Sequence, residues 1–244
     1  MAGKKPKTPQ PPKRVQAPQQ RRDAPDPDKR QRLILYGAAA AGIIALIAVI
    51  GFVASSNKSS APNDKKVAAA MTSAGCTFRT VNAYVPGGQT HVDSLTKPFP
   101  WNTTPPSNGQ HYPLWAVWGF YTDAVNPRQV VHNEEHGGVI LWWGSKVPSA
   151  TVSKLQDLYN EESDGMFGTK FPSLGSKVAI TAWTGNPATY QQNGDFGKGH
   201  IAVCPAFTAA TEAAFRTFRD AYRGHGPEGI PLSQDKPGMG PQTQ

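Results

Sequence analysis

Cysteine is scarce in this chain. Only Cys76 and Cys204 occur in 244 residues, and neither belongs to a C-x-x-C pair. That spacing argues against the zinc sites built from paired thiolates. Net charge is scarce as well once residues 1–32 are set aside, because the remaining 212 residues carry fifteen basic and fourteen acidic side chains. The overall excess of +8 belongs to a tail, so a basic globular nucleic-acid-binding domain is excluded. Long apolar runs are absent except for one, which excludes a multi-span membrane protein. There is no internal repeat and no heptad run, and so no solenoid or coiled coil. The zinc-protease pattern H-E-x-x-H is also missing, because Asn133 stands where its glutamate would be.

What is present divides the chain into an anchor and a domain. Residues 1–32 hold seven prolines, ten basic and three acidic residues, and almost nothing large and apolar. Such a segment buries too little surface to offset its ordering entropy and is expected to be disordered. Residues 33–53, LILYGAAAAGIIALIAVIGFV, contain no charge and no proline. At about 1.5 Å per residue the run spans about 32 Å, the thickness of a bilayer core, and predicts one uncleaved transmembrane helix. Lys29, Arg30 and Arg32 precede it directly, which places the N-terminus in the cytoplasm and the rest outside, at the plasma membrane. The tail is then expected to lie against anionic lipid. Residues 54–63 read as a polar stalk, 64–228 as one extracytoplasmic domain, and 229–244, rich in Gly, Pro and Gln, as a loose disordered tail. In that compartment Cys76 and Cys204 are expected to form a disulfide.

Within the domain the patterns predict an α+β fold with a short-stranded sheet and a few helices. A short helix near 63–73 has Asn63 as N-cap and Gly75 as its stop. Strands are expected at 77–85, 139–143 (VILWW), 177–184 and 201–204, and the aromatic run 114–121 as a buried strand or turn. Helices are expected at 149–163 and 208–223. Between them Asn126-Pro127 is a helix start and Gly137-Gly138 a helix stop, which predicts a helix over 127–136.

That helix carries the densest functional signal, VVHNEEHGGV over 130–139. His132 and His136 stand at i and i+4, one turn apart on one face, close enough to reach one metal ion. Glu135 completes the pattern H-x-x-E-H, in which a glutamate serves as general base toward a metal-bound water. The further acidic ligand that such hydrolases need has only Glu161 and Glu162 as nearby candidates, and these read as a solvated helix end. A second constellation, TTPPSNGQHY over 103–112, sets His111 on a stiffened loop, and His91 precedes it. Four imidazoles converging from His91, His111, His132 and His136 suit zinc or copper. Six tryptophans, Trp101, Trp115, Trp118, Trp142, Trp143 and Trp183, read as core more than as a binding groove. The segment RGHGPE at 223–228 reads as a helix cap.

The ordered set His91, PPSNGQH (105–111), WGFY (118–121), VHNEEHGGV (131–139), TAW (181–183) and RGHGPE (223–228) resembles a bacterial family catalogued as domain of unknown function 3105. The resemblance runs from about Gly75 to Glu228 and implies a single-pass anchor with an external domain. It brings no activity with it. The family's central motif usually reads Leu where this chain has Glu134, which adds a carboxylate to the cluster. Three functions are compatible with these residues. The first is a metal-binding domain using His132, His136, His111, His91 and Glu135, with Glu135 a ligand or the orienter of an imidazole. The second is a cell-envelope interaction module with structural histidines and a protein partner. The third is a zinc hydrolase with Glu135 as base.

Overall fold

The computed structural model describes residues 63–241, and the expected cytoplasmic tail, the apolar run 33–53 and all but the last residue of the stalk lie outside them. Among the described residues no helix is long and apolar enough to cross a membrane. The domain is α+β. Its elements are α1 (Asp64–Ser73), β1 (Thr77–Asn82), β2 (Phe120–Tyr121), α2 (Pro127–His136), β3 (Val139–Trp143), α3 (Ser149–Glu161), β4 (Met166–Lys170), β5 (Val178–Thr184), β6 (Lys198–Cys204) and α4 (Ala209–Tyr222). The six strands form one mixed sheet in the order β1-β6-β5-β3-β4-β2. Pairing is antiparallel from β1 through β3, while β4 runs parallel to both β3 and β2.

Both faces of the sheet are covered, so its central strands are apolar throughout rather than alternating. Val139, Leu141 and Trp143 of β3 pack with Val67 and Met71 of α1, Leu155 and Leu158 of α3, and Phe215 and Phe218 of α4. Ile140 and Trp142 turn to the other face and meet Val130 of α2, Trp118 and Phe167. Three helices thus close one side. The other is closed by α2 and the long segment 83–119, and His91, His111, His132 and His136 gather there. Trp118, Trp142, Trp143 and Trp183 are fully buried, as their core reading predicts.

Helix ends follow the sequence signals. The Asn63 side chain accepts the Lys66 N–H at 3.1 Å, the Asn126 side chain caps α2, and Thr208 caps α4. Cys76 and Cys204 form a disulfide between the start of β1 and the end of β6.

The structure decides one open reading, adds one strand and corrects one expectation. Of the two readings of the run 114–121, a buried strand or a turn packed on the core, the second fits: only Phe120–Tyr121 pairs, Ala116 and Trp118 are buried in the core, and Leu114 and Val117 are exposed. β4 has no clear sequence signal because MFGTK is short and interrupted by Gly168, yet it sits inside the sheet. The glycine is required there, since a Cβ at Gly168 would come within 2.2 Å of the Phe120 ring lying across it. The corrected expectation is the C-terminal segment, read as a loose tail. Its described part, 229–241, packs on the domain with Asp235 fully buried. Backbone bonds hold it: the Gly165 N–H donates to Asp235 O at 2.8 Å and the Trp118 N–H to Met239 O at 2.8 Å. Proline and glycine allowed the turns, and those partners supply the ordering energy that composition alone does not reveal.

Candidate metal centre

Local structure converges on α2 from three directions. Segments around His91 and His111 pair as an isolated parallel bridge: the Val92 N–H donates to His111 O at 2.8 Å and the His111 N–H to Thr90 O at 2.9 Å. The PPSNG turn is fixed by buried polar contacts. Asn108 Oδ1 accepts the Tyr84 N–H at 2.8 Å, and its Nδ2 donates to Asn102 Oδ1 at 2.9 Å. The turn presses on β6 at Gly199, where a Cβ would fall 2.2 Å from Asn108 Nδ2 and 2.4 Å from Ser107 Oγ. Asn133, the residue that spoils the protease motif, clamps segment 114–118 to α2. It accepts the Ala116 N–H at 3.0 Å and donates to Ala116 O at 2.9 Å. Beyond α2 the RGHGPE segment runs back along the helix end. The Gly224 N–H donates to Gly137 O at 2.8 Å and the Glu228 N–H to Glu135 O at 3.4 Å, giving partners to carbonyls that a helix terminus leaves open. Gly226 approaches so closely that a Cβ there would lie 2.2 Å from Gly137 N.

These constraints bring His91, His111, His132 and Glu135 together, with one potential ligand atom from each lying within 4.8 Å of all the others. The three ring centroids are 4.8, 4.9 and 4.8 Å apart. His132 Nδ1 donates to Tyr112 O at 2.9 Å and His111 Nδ1 to Gly109 O at 2.8 Å. In each neutral ring this leaves the Nε2 lone pair as the free function, so backbone carbonyls set both tautomers. His111 Nε2 is buried, and its one polar neighbour is Glu135 Oε2 at 2.9 Å. His91 Nε2 approaches the same oxygen at 3.3 Å. The other carboxylate oxygen, Oε1, accepts the Tyr190 hydroxyl. A base acting on metal-bound water needs an oxygen turned toward that water. Both oxygens of Glu135 are engaged, which fits a ligand or orienter better.

Electrostatics point the same way. Burial, then the neighbouring His111, pushes the His132 pKa down to about 3, so its ring stays neutral and able to coordinate at ordinary pH. For Glu135 burial would raise the pKa, but the contacts from His111 and His91 outweigh it and hold the carboxylate below its usual range. His91 moves up, chiefly through its hydrogen bond to Glu135 and against the effect of burial. The buried Glu135 carboxylate, 2.9 Å from His111 Nε2 and 3.3 Å from His91 Nε2, needs a positive partner, which a proton on an imidazole or a metal ion held by the rings would supply. Ligand atoms bound to one zinc ion sit roughly 3–4 Å apart, so small side-chain adjustments suffice to close the group.

The fifth expected ligand, His136, does not join this group. With His132 and Glu228 it forms a second one, again with atoms within 4.8 Å. His136 Nε2 lies 3.6 Å from Glu228 Oε2, and His136 Nδ1 lies 3.2 Å from Asp235 Oδ1. Glu228 and Asp235 are therefore site residues that sequence reasoning missed. One lay in a segment read as a helix cap, the other in a segment read as a tail. Tyr190 was missed because nothing in a lone tyrosine marks it. Glu161 and Glu162, the expected acidic candidates, pair instead with Arg216, Arg219 and Arg223.

Glu134 belongs to neither group. It is fully buried, burial lifts its pKa well above the usual range, and it accepts the Thr181 hydroxyl, which itself accepts the Trp142 indole N–H at 2.7 Å. Its Oε2 has no partner. Substituting Glu134→Leu removes an unsatisfied buried oxygen but strands the Thr181 hydroxyl, and the two effects are of similar size. Denaturant unfolding is expected to stay within about 1 kcal/mol of the parent protein, with metal content unchanged.

A six-stranded mixed sheet with a His/Glu cluster on its α2 face thus defines an α+β domain with a candidate metal centre. The chain belongs to the family described as "Protein of unknown function (DUF3105)", which matches residues 91–229, more than half of its length and all of the cluster. No curated protein and no solved structure matches it.

Proposed function

We propose that this domain binds a transition-metal ion, zinc or copper, through His91, His111, His132 and Glu135. The observation that carries the reading is the pair of rings, His111 and His132, whose Nδ1 atoms are committed to backbone carbonyls; His111 Nε2 lies 2.9 Å from the buried Glu135 carboxylate, and His132 has a ring nitrogen within 4.8 Å of the same group's ligand atoms. His200 in the same domain, outside the cluster, instead has hydroxyl partners at both nitrogens, from Thr80 and Thr184. Imidazole and carboxylate donors without thiolate suit zinc or copper(II).

The setting we propose is extracytoplasmic. Residues 33–53 anchor the chain in the plasma membrane as a single pass, the basic tail rests on anionic lipid inside, and the domain faces outward. The Cys76–Cys204 disulfide supports an oxidising compartment.

The test is elemental analysis and thermal unfolding of the full chain, purified in detergent and dialysed against zinc or copper(II). One bound equivalent is expected. At free metal a hundredfold above Kd the ion adds about 2.7 kcal/mol of stability, a rise in Tm of roughly 5–10 °C for a domain of this size. His132→Ala and Glu135→Gln should lose most of that shift. Absence of both bound metal and any shift in the parent protein overturns the reading.

A further inference from the structure

The two metal-capable groups have His132 in common, and this sharing carries a consequence beyond metal binding itself. His132 offers one nitrogen only, because its Nδ1 donates to Tyr112 O at 2.9 Å. One lone pair serves one ion. We infer that the domain has two alternative seats for a single metal ion, the first made by His91, His111, His132 and Glu135 and the second by His132, His136 and Glu228, occupied one at a time with His132 as the pivot.

The second seat is built rather than incidental. Asp235 is fully buried and stands 3.2 Å from His136 Nδ1, the carboxylate–imidazole pairing that fixes a ligand's orientation and turns its Nε2 toward Glu228. Asp235 Oδ1 is the atom that meets His136, and the Trp118 indole lies against the same carboxylate and helps to hold it in place. The Glu228 N–H is held by Glu135 O, which ties the second seat's carboxylate to the helix carrying the first. Trp115 lies against both His132 and His136, at 5.5 and 4.7 Å between centroids, so one indole packs on a ring from each seat. Each seat also has one ligand open to solvent: the His91 side chain is 40% exposed and that of Glu228 27%. An ion can therefore enter at one ligand and leave at another without losing His132. That geometry suits transfer of the ion to a second carrier better than permanent storage.

The inference rests on the metal-binding reading and is tested separately from it by stoichiometry. The full chain is titrated with zinc against a chromophoric chelator. The parent protein is expected to bind one equivalent. His136→Ala/Glu228→Gln should keep one equivalent with affinity within about tenfold, held by the first seat. His91→Ala/His111→Ala should also keep one equivalent, weakened by about 10- to 1,000-fold, held by the second. His132→Ala should weaken the tightest binding by at least 100-fold, since it removes a ligand from both. His111 is buried, so His91→Ala/Glu135→Gln serves as a second version of the first-seat variant, and intact thermal unfolding identifies the version to read. In His136→Ala/Glu228→Gln, release of zinc to excess chelator should slow at least tenfold. Two equivalents of similar affinity in the parent protein would show independent sites and overturn the inference. So would a folded first-seat variant that binds nothing, or an unchanged release rate in the second-seat variant. No binding to the parent protein removes both readings together.

Discussion

Replacing Cys76 and Cys204 by alanine lowers the unfolding free energy by about 5 kcal/mol, read as a fall in the urea midpoint. The figure follows from the chain-entropy cost of closing a loop over the observed separation of 128 residues. The loss should be uneven across the domain. β1 is an edge strand whose only neighbour in the sheet is β6, and α1 rests on α4 through Val67 and Met71. Without the cross-link, β1 and α1 are held only by non-covalent contacts, the pairing with β6, the packing on α4 and the hydrogen bonds that Asp64 accepts from Thr80 and Tyr222, so their amide protons should exchange first, ahead of those in β3 and β5. Parent protein in reducing buffer should behave like the double variant. A loss below about 2 kcal/mol, with no change in exchange at β1, would mean that the covalent tie is not what fastens the start of the domain to its sheet.

How much of this architecture the residues announce depends on whether the signal is local. The helix 127–136 is written in its ends: Asn126 and Pro127 fit only a start, and Gly137, at φ 114°, only a stop. β3 is legible because VILWW is apolar on both faces, as a strand covered by helices on each side must be. β4 is illegible for the opposite reason. Its central residue is a glycine kept small by Phe120, a residue from an edge strand 48 positions earlier in the chain. The candidate centre follows the same division. His132, Glu135 and the loop histidine His111 are visible as patterns on predicted elements. Convergence of His91 with them comes from a two-residue bridge that no periodicity encodes. Glu228 and Asp235 lie in segments whose Gly and Pro content reads as punctuation. Their role depends on a backbone approach, Gly226 against Gly137, that only the folded chain displays. The rule that two histidines at i and i+4 share an ion is met only through the second group, while His132 also completes the first without His136.

Acid should weaken the fold through a histidine outside either metal group. His200 lies in β6 with its ring stacked on Tyr222 at 4.0 Å; its Nδ1 is 3.1 Å from Thr80 Oγ1 and its Nε2 2.8 Å from Thr184 Oγ1. Thr80 donates its hydroxyl to Asp64, so it accepts from His200 Nδ1, and Thr184 donates to Nε2. The neutral ring is thus fully satisfied. Burial pulls its pKa down to about 4; Asp64 opposes that shift and Lys198 adds to it. Unfolded, the same ring titrates near 6.5. Above pH 6.5 both states are neutral and there is no penalty. Between 6.5 and 4 the unfolded chain takes up a proton that the folded domain refuses, and stability falls by about 1.4 kcal/mol per pH unit. Below 4 the loss levels off at about 3 kcal/mol. His132, also depressed by burial, pulls in the same direction in metal-free protein. The clean measurement is therefore a difference. Metal-free parent and His200→Gln proteins are unfolded in urea from pH 7 to pH 4, and the variant should lose about 3 kcal/mol less over that interval, although it starts less stable. Parallel curves would mean that the imidazole of His200 is charged inside the fold, with Asp64 3.8 Å away strong enough to overcome its burial.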